Sequence, residues 1–274
     1  MFRVGAVPLW PPVLFILFSL FFNTPVSLAE ERYSLLGNLK EDFTYIATSP
    51  SRIDRKSALI AAGIIGAGAV LYTQDEKIRD YVQDHRSSTL DDIDPIAEKF
   101  GNGLYDLGFL AVFGGTGYLL ENEKMQETAL LSLESFIVAN TIGTVVKSGV
   151  GRTRPNEDEG GTKFKPFSFD SAHTSFPSGH TTSAFSIASV FADEYDERPW
   201  VGVIAYTLAS AVALQRVYDD KHWASDVFTG AVLGTVVGKS IVYLHKDKKI
   251  ENAFLIPISV PSEGIYGVMA VVRF

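Results

Sequence analysis

Six apolar stretches, near residues 57–73, 103–120, 127–148, 179–194, 199–217 and 225–244, dominate the sequence, and none sustains a two-residue alternation of apolar and polar side chains. Each is long enough for a helix, and none has the rhythm of a half-buried strand. The pattern therefore predicts an all-α body, a six-helix core bundle occupying residues 57–250. A helix that crosses a bilayer needs about 20 predominantly apolar residues. Asp106, Glu134 and Lys239 interrupt three of the runs, and only Ser57 to Gln74 reaches 18 residues without a charge. On that count most of the segments read as buried core helices.

The two ends differ from the middle. Arg3 precedes the apolar run Val13 to Phe22, and Ser27-Leu28-Ala29 supplies small residues where a signal peptidase reads them, so residues 1–29 are expected to be a signal peptide. Residues 30–56 are polar, mixed in charge and broken by Ser49-Pro50-Ser51, as expected of a surface lead-in. If Ala29 is the last residue removed, the mature chain starts outside. Three full crossings would then carry the loop after residue 148 inside the cell. Because that loop holds the candidate site, the sequence favours an exported helical domain, periplasmic or membrane-associated, with its site outside the inner membrane. An integral inner-membrane bundle is the alternative. In the tail, residues 251–274, two apolar and β-branched runs flank Pro261-Ser262-Glu263-Gly264 and predict a β-hairpin. The alternation ending at Phe274 also resembles the closing strand of an outer-membrane barrel, although two strands cannot close one.

Composition narrows the chemistry. Lys plus Arg number 24 against 32 Asp plus Glu, a net charge of -8, which excludes nucleic acid as a partner on electrostatic grounds and makes any anion site local. With no cysteine there can be no disulfide, thiolate nucleophile or Cys-ligated metal.

Three clusters carry the candidate chemistry. Lys147 is followed after six residues by Arg154-Pro155, so on a helical path the two cations face the same way, while Pro155 biases Arg154 out of the helical region. Pro177-Ser178-Gly179-His180 precedes an apolar run, which makes Ser178 an expected N-cap, the N–H groups behind it an anion site, and Gly179 a point of close backbone approach. The third cluster is Arg216, His222 and Asp226. At i and i+4 the last two would share a helix face, the carboxylate fixing the imidazole tautomer. Each cluster alone is an ordinary surface or capping feature, but their joint occurrence at these spacings is not expected by chance. Gly230, Gly234 and Gly238, every fourth residue, continue the third cluster as a seam for close helix packing.

Together Lys147 to Pro155, Pro177 to His180 and Arg216 to Asp226 resemble the three-part signature of the type-2 phosphatidic acid phosphatase superfamily, which includes lipid phosphate phosphatases, class A acid phosphatases and vanadium haloperoxidases. The resemblance covers residues 57–245. It implies that His222 attacks phosphorus and becomes a phosphohistidine, that Asp226 orients it, and that His180 protonates the leaving oxygen and then activates water. It further implies that Lys147, Arg154, Arg216, the Ser178 hydroxyl and the Gly179 N–H surround the phosphate oxygens. No cofactor is implied, and no metal is expected, since three cations answer a phosphate dianion and two His with one carboxylate make a poor hard-metal site. One position departs from the family: Gln215 stands where Ser usually precedes the third-motif Arg.

The activity so implied is a metal-independent phosphatase, acting through a phosphohistidine on a phosphate monoester or diphosphate. A lipid phosphate such as phosphatidate is the expected substrate, a small phosphoester the alternative, with a membrane surface as partner. A vanadate-dependent haloperoxidase and a non-enzymatic phosphate-binding helical protein are the competing readings. Neither the exact substrate nor the oligomeric state is encoded legibly. The loop from Asn156 to Phe176 is longer than a passive connection needs. Its Phe164, Phe167, Phe169 and Phe176 form either an apolar lip or a lid packed on itself. His173 is expected to be a bystander, and His85 and His245 to be surface residues.

Overall fold

The computed structural model describes residues 35–251 except 90, 93–97 and 169, together with the backbone of 253–260 and 265–272. The expected signal peptide and the start of the lead-in lie outside the described residues. Among the described residues there are seven long helices: α1 (Leu35–Thr48), α2 (Arg55–Asp84), α3 (Gly103–Leu119), α4 (Glu123–Val150), α5 (Gly179–Glu194), α6 (Pro199–Tyr218) and α7 (Ala224–Glu251). Helices α2 to α7 fall on the six apolar stretches. Their starts are set by caps: Asp54, Asn102 and Asn122 accept from Ser57, Leu104 and Met125 N–H groups and so satisfy donors the first turn leaves free. At the end of α4, Gly151 takes a left-handed conformation (φ 63°) and returns its N–H to the Lys147 carbonyl. An added Cβ at Gly151 would collide with the Lys165 carbonyl, so only glycine closes this turn.

The core lies where α4, α5 and α7 meet, with Leu131, Val138, Val190, Val237, Ile241 and Val242 buried together. A second cluster joins α5 to α6 through Ala184, Ala188, Ala209 and Val212. The glycine seam packs as expected. Cβ atoms added at Gly230, Gly234 and Gly238 would lie 2.7, 2.4 and 2.6 Å from the carbonyl oxygens of Ser178, Thr182 and Ser186. Helix α7 therefore rests backbone to backbone on α5, which locks the starts of both helices in one register.

Three expectations need correction. The polar lead-in is not a passive strip: residues 35–48 form α1, whose Ile46 joins the main core. His245 is buried, not on the surface, and its donor atom lies with those of Asp42 and Glu134 within 4.8 Å of one another, tying α1, α4 and α7 together. Finally, α2, α4, α6 and the part of α7 to Lys246 are long and apolar enough to cross a membrane. The count of charge-free residues underestimated them because a charge facing inward does not interrupt a span. Glu134 is fully buried within α4. Beyond α7, the backbone of β1 (Ala253–Val260) pairs antiparallel with β2 (Ile265–Val272). The turn expected at 261–264 and the side chains of this segment lie outside the described residues.

Candidate active site

One end of the bundle collects six helix termini. Lys147 sits in the last turn of α4, Arg216 in the last turn of α6, His180 in the first turn of α5 and Asp226 in the first turn of α7. The last turns of α2 reach the same end through Arg79, which forks onto Asp220 at 2.7 Å. The start of α3 is there too, since the segment before it places Gly101 against His180 and Val212. The three sequence-distant clusters do converge. Burial and the charges of Arg216, Arg154 and Lys147 push His180 down to about 4. Burial and the same three cations hold His222 well below the usual imidazole range. Both rings are therefore neutral at pH 7 and lie in the field of the same three cations.

The cations are held by the loop that follows α4. Lys147 Nζ donates to the Thr174 carbonyl at 2.7 Å, and Arg154 donates to the Ser171 carbonyl at 2.8 Å and to the Thr174 hydroxyl. Arg154 is not on a helical path, because α4 stops at Val150 and Arg154 is extended (φ -72°, ψ 153°) ahead of Pro155. It reaches the basin by the chain doubling back. Gln215, at the position of the family's Ser, is buried and accepts from Arg216 Nε, so the departure supplies a second-row contact that steadies the guanidinium. Ser178 is the N-cap residue of α5, but its hydroxyl makes no capping bond and instead accepts from Thr181. A Cβ at Gly179 would meet nothing within 4 Å, so the space beside this backbone is open to a ligand. His180 Nε2 is buried with no hydrogen-bond partner among the described residues.

The expected contact between Asp226 and His222 is replaced by a relay. Helix α7 begins at Ala224, so His222 precedes it and the two residues share no helix face. His222 Nδ1 lies 2.7 Å from the Ser175 carbonyl. A carbonyl only accepts, so Nδ1 carries the proton and Nε2 the lone pair. The Ser175 hydroxyl in turn donates to Asp226, whose carboxylate also accepts from the Trp223 N–H at 3.1 Å and from Arg152 at 2.6 Å. His173 is tied to Thr153 at 3.0 Å.

Comparison with known proteins bears on the family and the fold. The PAP2 superfamily model matches residues 128–250. A lipid A 1-phosphatase of Rhizobium etli is 32% identical over 164 residues, covering 54% of this chain and 68% of that protein. The chain belongs to the PAP2 superfamily. A lipid A 1-phosphatase of Porphyromonas gingivalis is 38% identical over 112 residues, 38% of this chain and 22% of that protein, so the chain spans only about a fifth of that relative's length. Among solved structures, a transmembrane PAP2-type phosphatidylglycerolphosphate phosphatase from Bacillus subtilis shares the fold, with a TM-score of 0.54 at 22% identity over 68% of this chain and 96% of that one.

The PAP2 model begins within α4, yet the site draws on residues before it. Asp75, Glu76 and Arg79 of α2 bind Arg152, the Gly161 N–H and Asp220 respectively. Sequence reading missed all three, along with Arg152 and Ser175, because polar contacts between elements far apart in sequence leave no periodic signal. Arg152 lies only two residues before Arg154, and its neighbour Gly151 marks a helix end that turns it inward. Of the four loop phenylalanines, Phe164 and Phe167 are exposed, Phe176 is half-buried and Phe169 lies outside the described residues. The loop folds back on the α4 terminus through Thr153, Lys165 and Phe167 N–H groups bonded to the carbonyls of Lys163, Gly151 and Ser148.

Proposed function

We propose that this chain hydrolyses a phosphate monoester on a lipid through a phosphohistidine. The observation that carries the reading is two neutral imidazoles under the shared field of Lys147, Arg154 and Arg216, one with its Nε2 unpartnered and the other with its Nδ1 proton fixed. His222 Nε2 attacks phosphorus and the ester P–O bond breaks. The three cations with the Gly179 N–H hold the oxygens that gain charge. His180, which takes up a proton from solvent when the phosphate dianion binds, delivers it to the departing alkoxide and then takes one from the water that cleaves the P–N bond. A bound phosphate dianion offsets the cations and so raises the proton affinity of His180, which the empty basin depresses.

A bilayer setting fits the same geometry. In α2 no residue of the apolar window is buried, and Leu59, Ile65 and Val70 are each at least 64% exposed. Val112, Val203, Leu214 and Val236 extend exposed apolar surface over α3, α6 and α7. A soluble domain rarely leaves so much uncovered. An integral bundle would place the ring of helix ends, and the exposed Phe164 and Phe167, at headgroup depth. The names of the relatives make the 1-phosphate of lipid A the first substrate to try. The test is phosphate release from lipid A, phosphatidate and a soluble monoester by the full chain in mild detergent, with His222→Ala alongside. Release from the lipids that vanishes in the variant is expected; equal release by the variant refutes the assignment.

A further inference from the structure

Asp75 stands outside the segment that defines the family and outside the basin itself, yet it is the far end of a continuous buried relay. Asp75, Arg152 and Asp226 are each no more than 2% exposed. All five guanidinium protons of Arg152 are committed. Nη2 donates to Asp75 at 2.8 Å and to the Gly161 carbonyl at 2.9 Å, Nη1 to Ser225 at 2.8 Å and Asp226 at 2.6 Å, and Nε to Gly161 at 3.0 Å. The rings of Tyr72 and Trp223 lie 4.8 and 5.3 Å from its centre. Asp75 closes the set by accepting from the Ser225 N–H at 2.9 Å and from the Ser225 hydroxyl.

We propose that Asp75 is a positioning residue for phosphoryl transfer, acting through Arg152 on Asp226 and thence on the Ser175 peptide that aims His222. Two carboxylates share one guanidinium here, so with both ionised the triad carries a net negative charge. Burying such a set costs desolvation energy that an apolar trio would avoid. The charge has a use at this place. When His222 Nε2 bonds to phosphorus its ring becomes cationic, in a basin already holding Lys147, Arg154 and Arg216. A carboxylate only half satisfied by Arg152 still polarises Ser175 toward that ring. Were Asp75 neutral, Arg152 would turn its whole charge on Asp226, and the ring would lose that support in the step that makes it cationic. The cage cations do not contact Asp75, so ground-state phosphate binding should be untouched. The inference rests on the proposed role of His222.

The test uses the full chain in detergent with phosphatidate micelles, the Ki of inorganic phosphate as a measure of the cage, and thermal melting as a measure of the fold. Asp75→Asn should lower kcat at least about tenfold, with KM and the phosphate Ki within about threefold of the parent. In an Arg152→Gln background, adding Asp75→Asn should lower kcat no further, since the relay is already cut. Should Asp75→Asn fail to fold, Ser225→Ala, which removes the hydroxyl's two hydrogen bonds, from Arg152 and to Asp75, and no charge, should lower kcat about three- to tenfold at unchanged Ki. A kcat within about twofold of the parent in whichever variant folds, a loss of phosphate binding in parallel with kcat, or multiplying effects in the double variant each overturns the proposal. Parent turnover that survives in His222→Ala overturns the functional reading and this inference with it; a silent relay beside a dead His222→Ala overturns the inference alone.

Discussion

Two histidines with opposite proposed duties sit in one electrostatic environment, and their difference lies in what each nitrogen touches. His222 has its Nδ1 proton fixed on a carbonyl and presents a lone pair, whereas the buried Nε2 of His180 has no partner among the described residues. The chemistry then predicts an asymmetry between variants. His222→Ala should abolish turnover while the protein still melts cooperatively. His180→Ala should accumulate phosphoenzyme from an aryl phosphate, whose leaving group needs no proton, and the absence of alkali-stable, acid-labile radiolabel from the chain would count against a two-step path. The depressed proton affinities also set a stability window. Above the ordinary imidazole value of 6.5 both rings are neutral folded or unfolded, and their contribution is complete. As pH falls from 6.5 toward about 4, the unfolded chain takes up protons that the folded one refuses, so stability declines. The melting temperature should hold between pH 7 and 8 and drop across that window. His180→Asn should flatten part of the fall, and inorganic phosphate, which offsets the cations, should do the same. A pH slope unchanged in His180→Asn would mean the ring is not held neutral.

Elements owe their placement to small residues. The tightest approach in the α5–α7 seam is at Gly234, where an added Cβ would sit 2.4 Å from a carbonyl that cannot rotate away. Gly234→Ala should therefore cost about 1–3 kcal/mol and part the two helices whose first turns carry His180 and Asp226. Gly63→Ala on α2, where a Cβ would meet nothing within 4 Å, should be neutral or slightly stabilising, since alanine is the better helix former. Chemical denaturation of both variants in detergent separates packing from propensity. At the far end of the bundle, His245→Ala removes the imidazole between buried Asp42 and Glu134 and should destabilise by about 1–3 kcal/mol while KM stays put. These elements also show what sequence could and could not carry. Helices α2 to α7 were legible because apolar runs and caps are local, and the seam because glycines four apart mark one stripe. Helix α1 was missed because its apolar contacts are few and its polar ones are buried. The eight candidate residues singled out by their spacing lie at one end of the bundle, although neither Lys147 with Arg154 nor His222 with Asp226 shares a helix as that spacing suggested. The Arg152 relay was not legible, since it is made of single residues on separate elements joined only by the fold.

At the level of the molecule, the helices alternate in direction, so that α2, α4 and α6 end where α3, α5 and α7 begin. The candidate site residues are gathered at one end of a bundle whose flanks are apolar, and polar contacts such as Asp42, Glu134 and His245 are kept inside. This division suits a substrate that is itself divided, with a charged group for the basin and acyl chains for the flanks. The loop after α4 stands at the boundary. Its backbone is pinned to the α4 terminus by Lys165 and Phe167, while the Phe164 and Phe167 rings remain 46% and 78% exposed, so the loop is folded on itself and yet presents an apolar rim. Removing that rim should therefore act on lipid capture without touching the phosphate cage. The double variant Phe164→Ser, Phe167→Ser should raise KM for phosphatidate in vesicles about three- to tenfold and leave kcat/KM for a soluble aryl phosphate unchanged, because each ring withdrawn from hydrocarbon forfeits roughly 1.5–3 kcal/mol at full burial and less at the interface. The same variant should still partition with membranes, since α2, α4, α6 and α7 carry that affinity. Equal losses on both substrates would place the rings in the fold of the site, and recovery of the parent chain from the detergent-free soluble fraction would remove the bilayer from the account altogether.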